Sequence, residues 1–242
     1  MTPSPLRIGT RRSPLAMAQA RLVADGLAAA TGRCSRLVPI GTVGDADRKT
    51  PLQLLGGTGV FVTALRQALM QDEIDLAVHS YKDLPTAVFP GLMIAAVPAR
   101  EDVRDALVSR NGRRLADLHP GARIGTGSPR RAAQLHLLRS DVTVTGLRGN
   151  LDTRLRKVAD GTLDAVVLAC AGLHRLRRTA VISEPFDIDR MLPAPAQGAL
   201  AVETRVDRPD VVAVAASVND PSSFPSFTER ISKSSGSSEC IR

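Results

Sequence analysis

The residues best placed to do chemistry lie in the stretch Asp75-Leu-Ala-Val-His-Ser-Tyr-Lys-Asp-Leu-Pro85. An apolar run of strand length delivers His79, Ser80, Lys82 and Asp83, and Pro85 stops any regular continuation. In open α/β sheets ligands bind beyond the carboxyl ends of strands. An ammonium and a carboxylate delivered there could hold an anion and move a proton. The same residues also read as a surface turn in which Lys82 and Asp83 neutralise each other. A second set is cationic: Arg11 and Arg12 after a Gly-Thr, Arg130 and Arg131 after Ser128-Pro129, then Arg148, Arg154 and Arg175. Guanidinium forks bind carboxylates and phosphates bidentately. Any one of these arginines alone reads as a solvated surface charge.

The elements that must carry these groups form two similar series. Arg7-Ile-Gly-Thr10 reads as a strand, and Ser13-Pro14 has the N-cap and first-turn signature of a helix. That helix is expected to bury Leu15, Ala18, Leu22, Val23 and Leu27 and to end near Gly32. Leu37 to Ile40 predicts a strand at an edge or bulge because of Pro39, and Phe61 to Asp72 a second helix. A strand follows at Leu92 to Val97, and the Gly/Thr/Asp-rich segment from Gly41 to Gly59 reads as a long loop. The opening series then returns. Arg123-Ile-Gly-Thr126, Ser128-Pro129 and Asp164-Ala-Val-Val-Leu-Ala169 echo Arg7-Ile-Gly-Thr10, Ser13-Pro14 and Asp75-Leu-Ala-Val-His-Ser80 in the same order. Two similar α/β domains facing one cleft are expected. Each strand–turn–helix junction offers free backbone N–H groups at the positive end of a helix dipole. Arginines in such a first turn oppose the dipole, which points to an anionic ligand as their reason.

Composition narrows the classes. The net charge is +8, and only four of the 32 basic residues are Lys, a bias that either an anionic partner or an Arg-rich genome would produce. Five Phe, one Tyr and no Trp give no stacking platform for nucleic acid. No apolar run approaches a membrane span or a signal-peptide core, so a cytoplasmic protein is expected. Cys34, Cys170 and Cys240 form no metal or disulfide spacing, and Cys34 and Cys170 read as buried apolar residues. The four His are scattered, and no metal is expected.

Six motifs in order resemble the porphobilinogen deaminase (hydroxymethylbilane synthase) family: Arg7-Ile-Gly-Thr-Arg-Arg-Ser-Pro-Leu-Ala16, Val78-His-Ser-Tyr-Lys-Asp83, Arg100-Glu-Asp-Val-Arg-Asp105, Gly125-Thr-Gly-Ser-Pro-Arg-Arg131, Leu147-Arg-Gly-Asn150 and Pro195-Ala-Gln-Gly198. The resemblance covers Leu6 to Asp220. It implies a monomeric cytoplasmic transferase that joins four porphobilinogen units head to tail, releasing ammonia at each step. The chain would grow on a dipyrromethane cofactor tethered to a cysteine. It also implies two periplasmic-binding-protein-like (type II) α/β domains around a cleft: residues 1–98 with 199–220, and residues 99–198. By the same resemblance Asp83 is the catalytic carboxylate, shuttling a proton and stabilising the azafulvenium cation left by ammonia. Arg11, Ser13, Ser80, Lys82, Thr126, Ser128, Arg130, Arg131, Arg148, Arg154, Arg175 and Gln197 hold substrate and cofactor, whose rings each bear an acetate and a propionate.

The chain departs from the family pattern in three places. Gly127 stands where the family usually has Ser, and Thr58 where Lys is expected. From Pro221 to Arg242 the sequence is Ser-rich and without apolar periodicity. The third α+β domain is therefore expected to be essentially absent, through truncation or a frameshift. Cys240 falls about where the attachment cysteine would stand, without the family's surrounding sequence. A chain that cannot anchor the cofactor would keep an anion-binding role only. The alternative to the enzyme is thus a two-domain binder of small polycarboxylates.

Overall fold

The computed structural model describes residues 4–41 and 62–223. The expected long loop beyond Gly41, Thr58 within it, Phe61, and the tail from residue 224 onward with Cys240 lie outside the described residues.

Two five-stranded sheets share one plan. The first half supplies β1 (Leu6–Arg11), α1 (Pro14–Thr31), β2 (Ser35–Ile40), α2 (Thr63–Met70), β3 (Leu76–Ser80) and β4 (Leu92–Ala96). There follow β5 (Asp105–Ser109), β6 (Arg123–Thr126), α3 (Pro129–Leu138), β7 (Thr143–Gly146), α4 (Leu151–Ala159), β8 (Ala165–Ala169), α5 (Cys170–Arg175) and β9 (Glu184–Pro185). The chain returns through β10 (Leu200–Arg205) and α6 (Pro209–Ala216). The strand orders are β2-β1-β3-β10-β4 and β7-β6-β8-β5-β9. In each sheet four strands run parallel, and the fifth, β10 or β5, is inserted antiparallel between two of them. Residues 97–104 and 186–199 are the two crossings. As Pro39 suggests, β2 is an edge strand.

The internal echo extends to atomic detail. Arg7 N–H donates to Asp75 Oδ2 and Arg123 N–H to Asp164 Oδ2, both at 2.8 Å. The glycine of each Arg-Ile-Gly-Thr sits under a buried aliphatic side chain. A Cβ at Gly9 would lie 2.2 Å from Ile74 Cδ1, and one at Gly125 2.5 Å from Leu163 Cδ1. Apolar clusters cover the faces of each sheet, with Ile8, Leu27, Leu76, Leu107, Ile124 and Leu135 wholly or almost wholly buried. Each such side chain contributes roughly 1.5–3 kcal/mol of transfer free energy.

Two helices differ from expectation. The buried stripe of α1 is Ala16, Gln19, Ala20, Val23, Ala24 and Leu27, whereas Leu22 is exposed. Val23 and Leu27 are buried as expected, and the small residues Ala16, Ala20 and Ala24 beside them let this helix approach the sheet closely. Ser13 caps it, accepting from Ala16 N–H at 3.3 Å, and Gly32 closes it in the left-handed conformation. Helix α2 stops at Met70, short of Asp72, whose φ of 55° cannot continue a helix.

Candidate active site

Strand β3 is buried along its length until Ser80, where the chain turns through a single 3₁₀ turn, Tyr81–Asp83. That turn places Asp83, half-buried, at the carboxyl end of the sheet. With Arg11, Ser13, Leu15, Gln19, His79 and Ser80 it lines a small hollow of about 80 Å³. Ser80 Oγ lies 3.0 Å from Nε2 and 3.2 Å from Oε1 of Gln19, so the helix fixes this hydroxyl. Gln19 was not foreseen as a site residue. Its signal was a polar side chain on the stripe of α1 that faces the sheet.

Cations come from both halves. Burial lowers the Lys82 ammonium to about 8, helped by the like charges of Arg131 and Arg130, while Asp83 and Asp105 act in the opposite sense. Burial likewise lowers Arg154 to about 10, with Arg131 and Arg148 adding to the effect and Asp83 opposing it. Asp83 is therefore close enough to feel charges from both halves. The halves meet nearby as well, since a Cβ on Gly172 of α5 would lie 3.5 Å from Leu15 Cδ2 of α1.

Arg130 and Arg131 have partners that sequence reasoning missed. Asp105 is completely buried and receives Arg130 Nη2 at 2.7 Å and Arg131 Nη2 at 2.6 Å, with Arg131 Nη1 on Val167 O at 3.1 Å. An anionic ligand was expected to explain these first-turn arginines better than folding does; an internal carboxylate, Asp105, already compensates both. Asp105 is drawn well below the usual carboxylate range, because the guanidiniums outweigh its burial. The only sequence signal was an acid at the start of a wholly apolar strand, Asp-Ala-Leu-Val-Ser.

The remaining expected residues divide. Thr126 and Ser128 serve the turn, Thr126 Oγ1 accepting from Ser128 N–H at 3.2 Å and Ser128 Oγ capping α3 through Arg131 N–H at 3.4 Å. Arg154 donates to Gly149 O at 2.8 Å. Arg148 has a buried Nη1 with no hydrogen-bond partner among the described residues. Arg175 is bonded to Gly198 O at 2.6 Å and coupled electrostatically to Glu101. Gln197 is wholly buried behind the cleft.

Behind β3, Arg66 Nη2 pairs with Glu203 Oε1 at 2.8 Å, and His79 Nε2 lies 3.2 Å from Glu203 Oε2 but out of hydrogen-bond alignment. This network was also unforeseen, because α2 and β10 are far apart in sequence. Cys170 is buried and pushed up to about 11 by burial, and Cys34 is exposed on the approach to β2. Among the described residues no cluster of His, Cys, Asp and Glu could hold a metal, and no helix is long and apolar enough to cross a membrane.

Residues 6–213 match the family model described as the dipyrromethane cofactor binding domain of porphobilinogen deaminase. The chain is 52% identical to porphobilinogen deaminase 1 of Streptomyces coelicolor, over 91% of this chain and 70% of that protein. It belongs to the porphobilinogen deaminase family. It is also 57% identical to the porphobilinogen deaminase of Thermobifida fusca, over 85% of this chain and 64% of that one. The chain thus spans about two thirds of the length of these curated relatives. For the fold alone, an ABC transporter periplasmic substrate-binding protein from Coxiella burnetii superposes with a TM-score of 0.54 at 13% identity, covering 90% of this chain and 94% of that one. The two-domain, type II periplasmic-binding-protein-like architecture is as expected.

The residues present fit the porphobilinogen deaminase cofactor. Dipyrromethane carries four carboxylates, and the cleft holds desolvated Lys82 and Arg154 together with the unpartnered Arg148 Nη1. None of these three cations forms an ion pair within 4.0 Å among the described residues. A buried donor without an acceptor costs roughly 1–3 kcal/mol, which a ligand carboxylate would relieve. Gly127, where Ser is usual in the family, bears on the same cation. A Cβ there would lie 2.6 Å from Leu147 O, against backbone. Gly127→Ser is expected to push the Leu147–Arg148 segment outward and to destabilise the fold by about 1–3 kcal/mol. Thermal denaturation checks this, and an unchanged melting temperature would show that the segment yields freely.

Proposed function

We propose that this chain forms the catalytic cleft of a transferase of tetrapyrrole biosynthesis, condensing four porphobilinogen units head to tail into hydroxymethylbilane with release of ammonia. The observation that carries the reading is a half-buried carboxylate, Asp83, within the electrostatic reach of Lys82 from its own half and Arg154 from the other. Bound dipyrromethane would supply the nucleophilic pyrrole carbon on which growth begins. Arg148, Arg154, Arg131 and Lys82 would hold its acetates and propionates, with Arg11 and Ser13 on the opposite wall for the incoming ring. Arg130 and Arg175 fit more distant carboxylates of a longer chain.

Asp83 acts on the bond-making carbons. Ammonia departs from the aminomethyl group with the C–N electron pair, and the methylene carbon left behind is cationic. A carboxylate beside the pyrrole N–H stabilises that charge, in a site where burial strengthens the interaction. Asp83 would accept the proton displaced from the nucleophilic pyrrole carbon as the new C–C bond replaces the broken C–N bond. Each step therefore consumes one ammonium leaving group and one C–H, and the carboxylate is restored when the proton passes to solvent.

The reading includes residues 1–98 with 199–220 as one domain and 99–198 as the second. It also includes a monomeric, cytoplasmic protein whose partner is the small-molecule substrate rather than nucleic acid or membrane. By the family resemblance, attachment of the cofactor falls to Cys240, which lies outside the described residues. A second reading, a polycarboxylate binder without turnover, rests on the same cations and needs no attachment thiol. Intact-mass spectrometry of the purified chain separates them. The enzyme carries the added mass of a dipyrromethane, mapped to the Cys240 peptide, and releases ammonia from porphobilinogen. A chain of unmodified mass that binds porphobilinogen without consuming it would establish the second reading.

A further inference from the structure

Gln197 makes contacts that a ligand-binding side chain would not. It is completely buried, and its amide is used up within the protein. Its Oε1 accepts from Lys82 Nζ at 3.0 Å, while Nε2 donates to Val103 O at 2.7 Å and to Asp105 Oδ1 at 2.8 Å. The orientation is forced, because an ammonium only donates and a carboxylate only accepts. Its own carbonyl receives Arg100 Nε at 2.8 Å, which pins the residue to the first crossing. The amide dipole thus lies between a cation carried by one sheet and the anion that holds Arg130 and Arg131 in the other.

We infer that Gln197 is a positioning residue: it fastens Lys82 to the Asp105–Arg131 pair across the two halves and so holds the ammonium beside Asp83. The inference rests on the proposed catalytic role of Asp83 for its functional meaning, but its geometry does not. Lys82 has no other hydrogen bond among the described residues. The charged groups that face it are Asp83 on its own turn, Asp105 on β5, and Arg130 and Arg131 on α3. Their effects partly cancel, so the single acceptor on Gln197 has unusual weight in holding the proton. A ligand carboxylate that engages Arg131 would shift the charge balance at Asp105, and the amide passes that change to Lys82.

The test is competitive labelling of the full-length chain with acetic anhydride over about pH 6 to 10, the Lys82 peptide being quantified by mass spectrometry. The wild-type midpoint is expected near 8, set by burial. Gln197→Met, which removes the acceptor but keeps the volume, should lower the midpoint by about one unit, a tenfold loss of proton affinity. An unchanged midpoint in the folded variant overturns the inference, as does a wild-type Lys82 that labels like a solvent-exposed lysine. Should Gln197→Met fail to fold, Gln197→Asn decides: the shorter amide withdraws its oxygen from Lys82 Nζ and lowers the midpoint, and a wild-type midpoint there overturns the inference. The measurement needs neither cofactor nor turnover, so a chain that fails to consume porphobilinogen leaves this result standing.

Discussion

Asp83→Asn is expected to fold like the parent and to lose turnover by about 10²–10⁴-fold, the usual worth of a positioned acid–base group. The fold should survive because Asp83 is only half-buried in a small hollow, and none of the ion pairs described above depends on it. Asparagine keeps the volume and one acceptor oxygen of the carboxylate. It removes the negative charge that stabilises the developing cation and the site that receives the pyrrole proton. Melting temperature and the rate of ammonia release, measured on the same preparation, give the two halves of the result. A variant with the parent's turnover would remove Asp83 from the chemistry. A variant that fails to fold would show that the turn, rather than the reaction, needs the carboxylate.

Arg131→Ala is expected to act on stability as much as on binding. Arg131 and Asp105 are both buried, and removing one partner leaves a carboxylate that only Arg130 and Gln197 still compensate. Breaking a buried pair in this way costs about 3–5 kcal/mol. The surviving Arg130 places the expected loss near the lower end, about 3 kcal/mol in a urea titration. Affinity for polycarboxylates should fall as well, since the cation that couples Lys82 and Arg154 is gone. Acid sensitivity gives an independent check. The folded-state value of Asp105 lies below its unfolded value, so its contribution is present above about pH 4 and is lost as pH falls through the folded value. The parent should therefore lose stability more steeply on acidification below about pH 4 than Asp105→Asn does. Parallel curves would mean that the pair contributes nothing to folding.

Local signals carried much of this architecture into the sequence. Ser13-Pro14 and Ser128-Pro129 open helices as their capping chemistry requires, and Pro39 lies on an edge strand. The repeated Arg-Ile-Gly-Thr was legible because each copy meets the same demands, an aspartate over its first amide and an aliphatic side chain over its glycine. The site was legible where residues cluster in the chain, as from His79 to Asp83. It was illegible where partners are assembled by topology. Nothing near Arg130 and Arg131 announces Asp105, which pairs with them only because β5 enters beside β8. The same holds for Arg66 and Glu203, brought together by a strand that returns from the end of the described chain. Helix α1 illustrates a third limit. Its alanines gave little hydrophobic contrast, so the larger Leu22 drew the expected face away from the true one.

The sheet plan bears on how the molecule comes off the ribosome. The sheet holding β5 to β9 is one continuous piece of chain and can assemble as soon as it emerges. The sheet that carries Asp83 cannot, because β10, which lies between β3 and β4, is made last among the described strands. Until then β3 and β4 present open edges to solvent, and a nascent chain halted before Leu200 would expose them. Synthesis therefore finishes the arginine-bearing half first and leaves the acid-bearing half waiting for its closing strand.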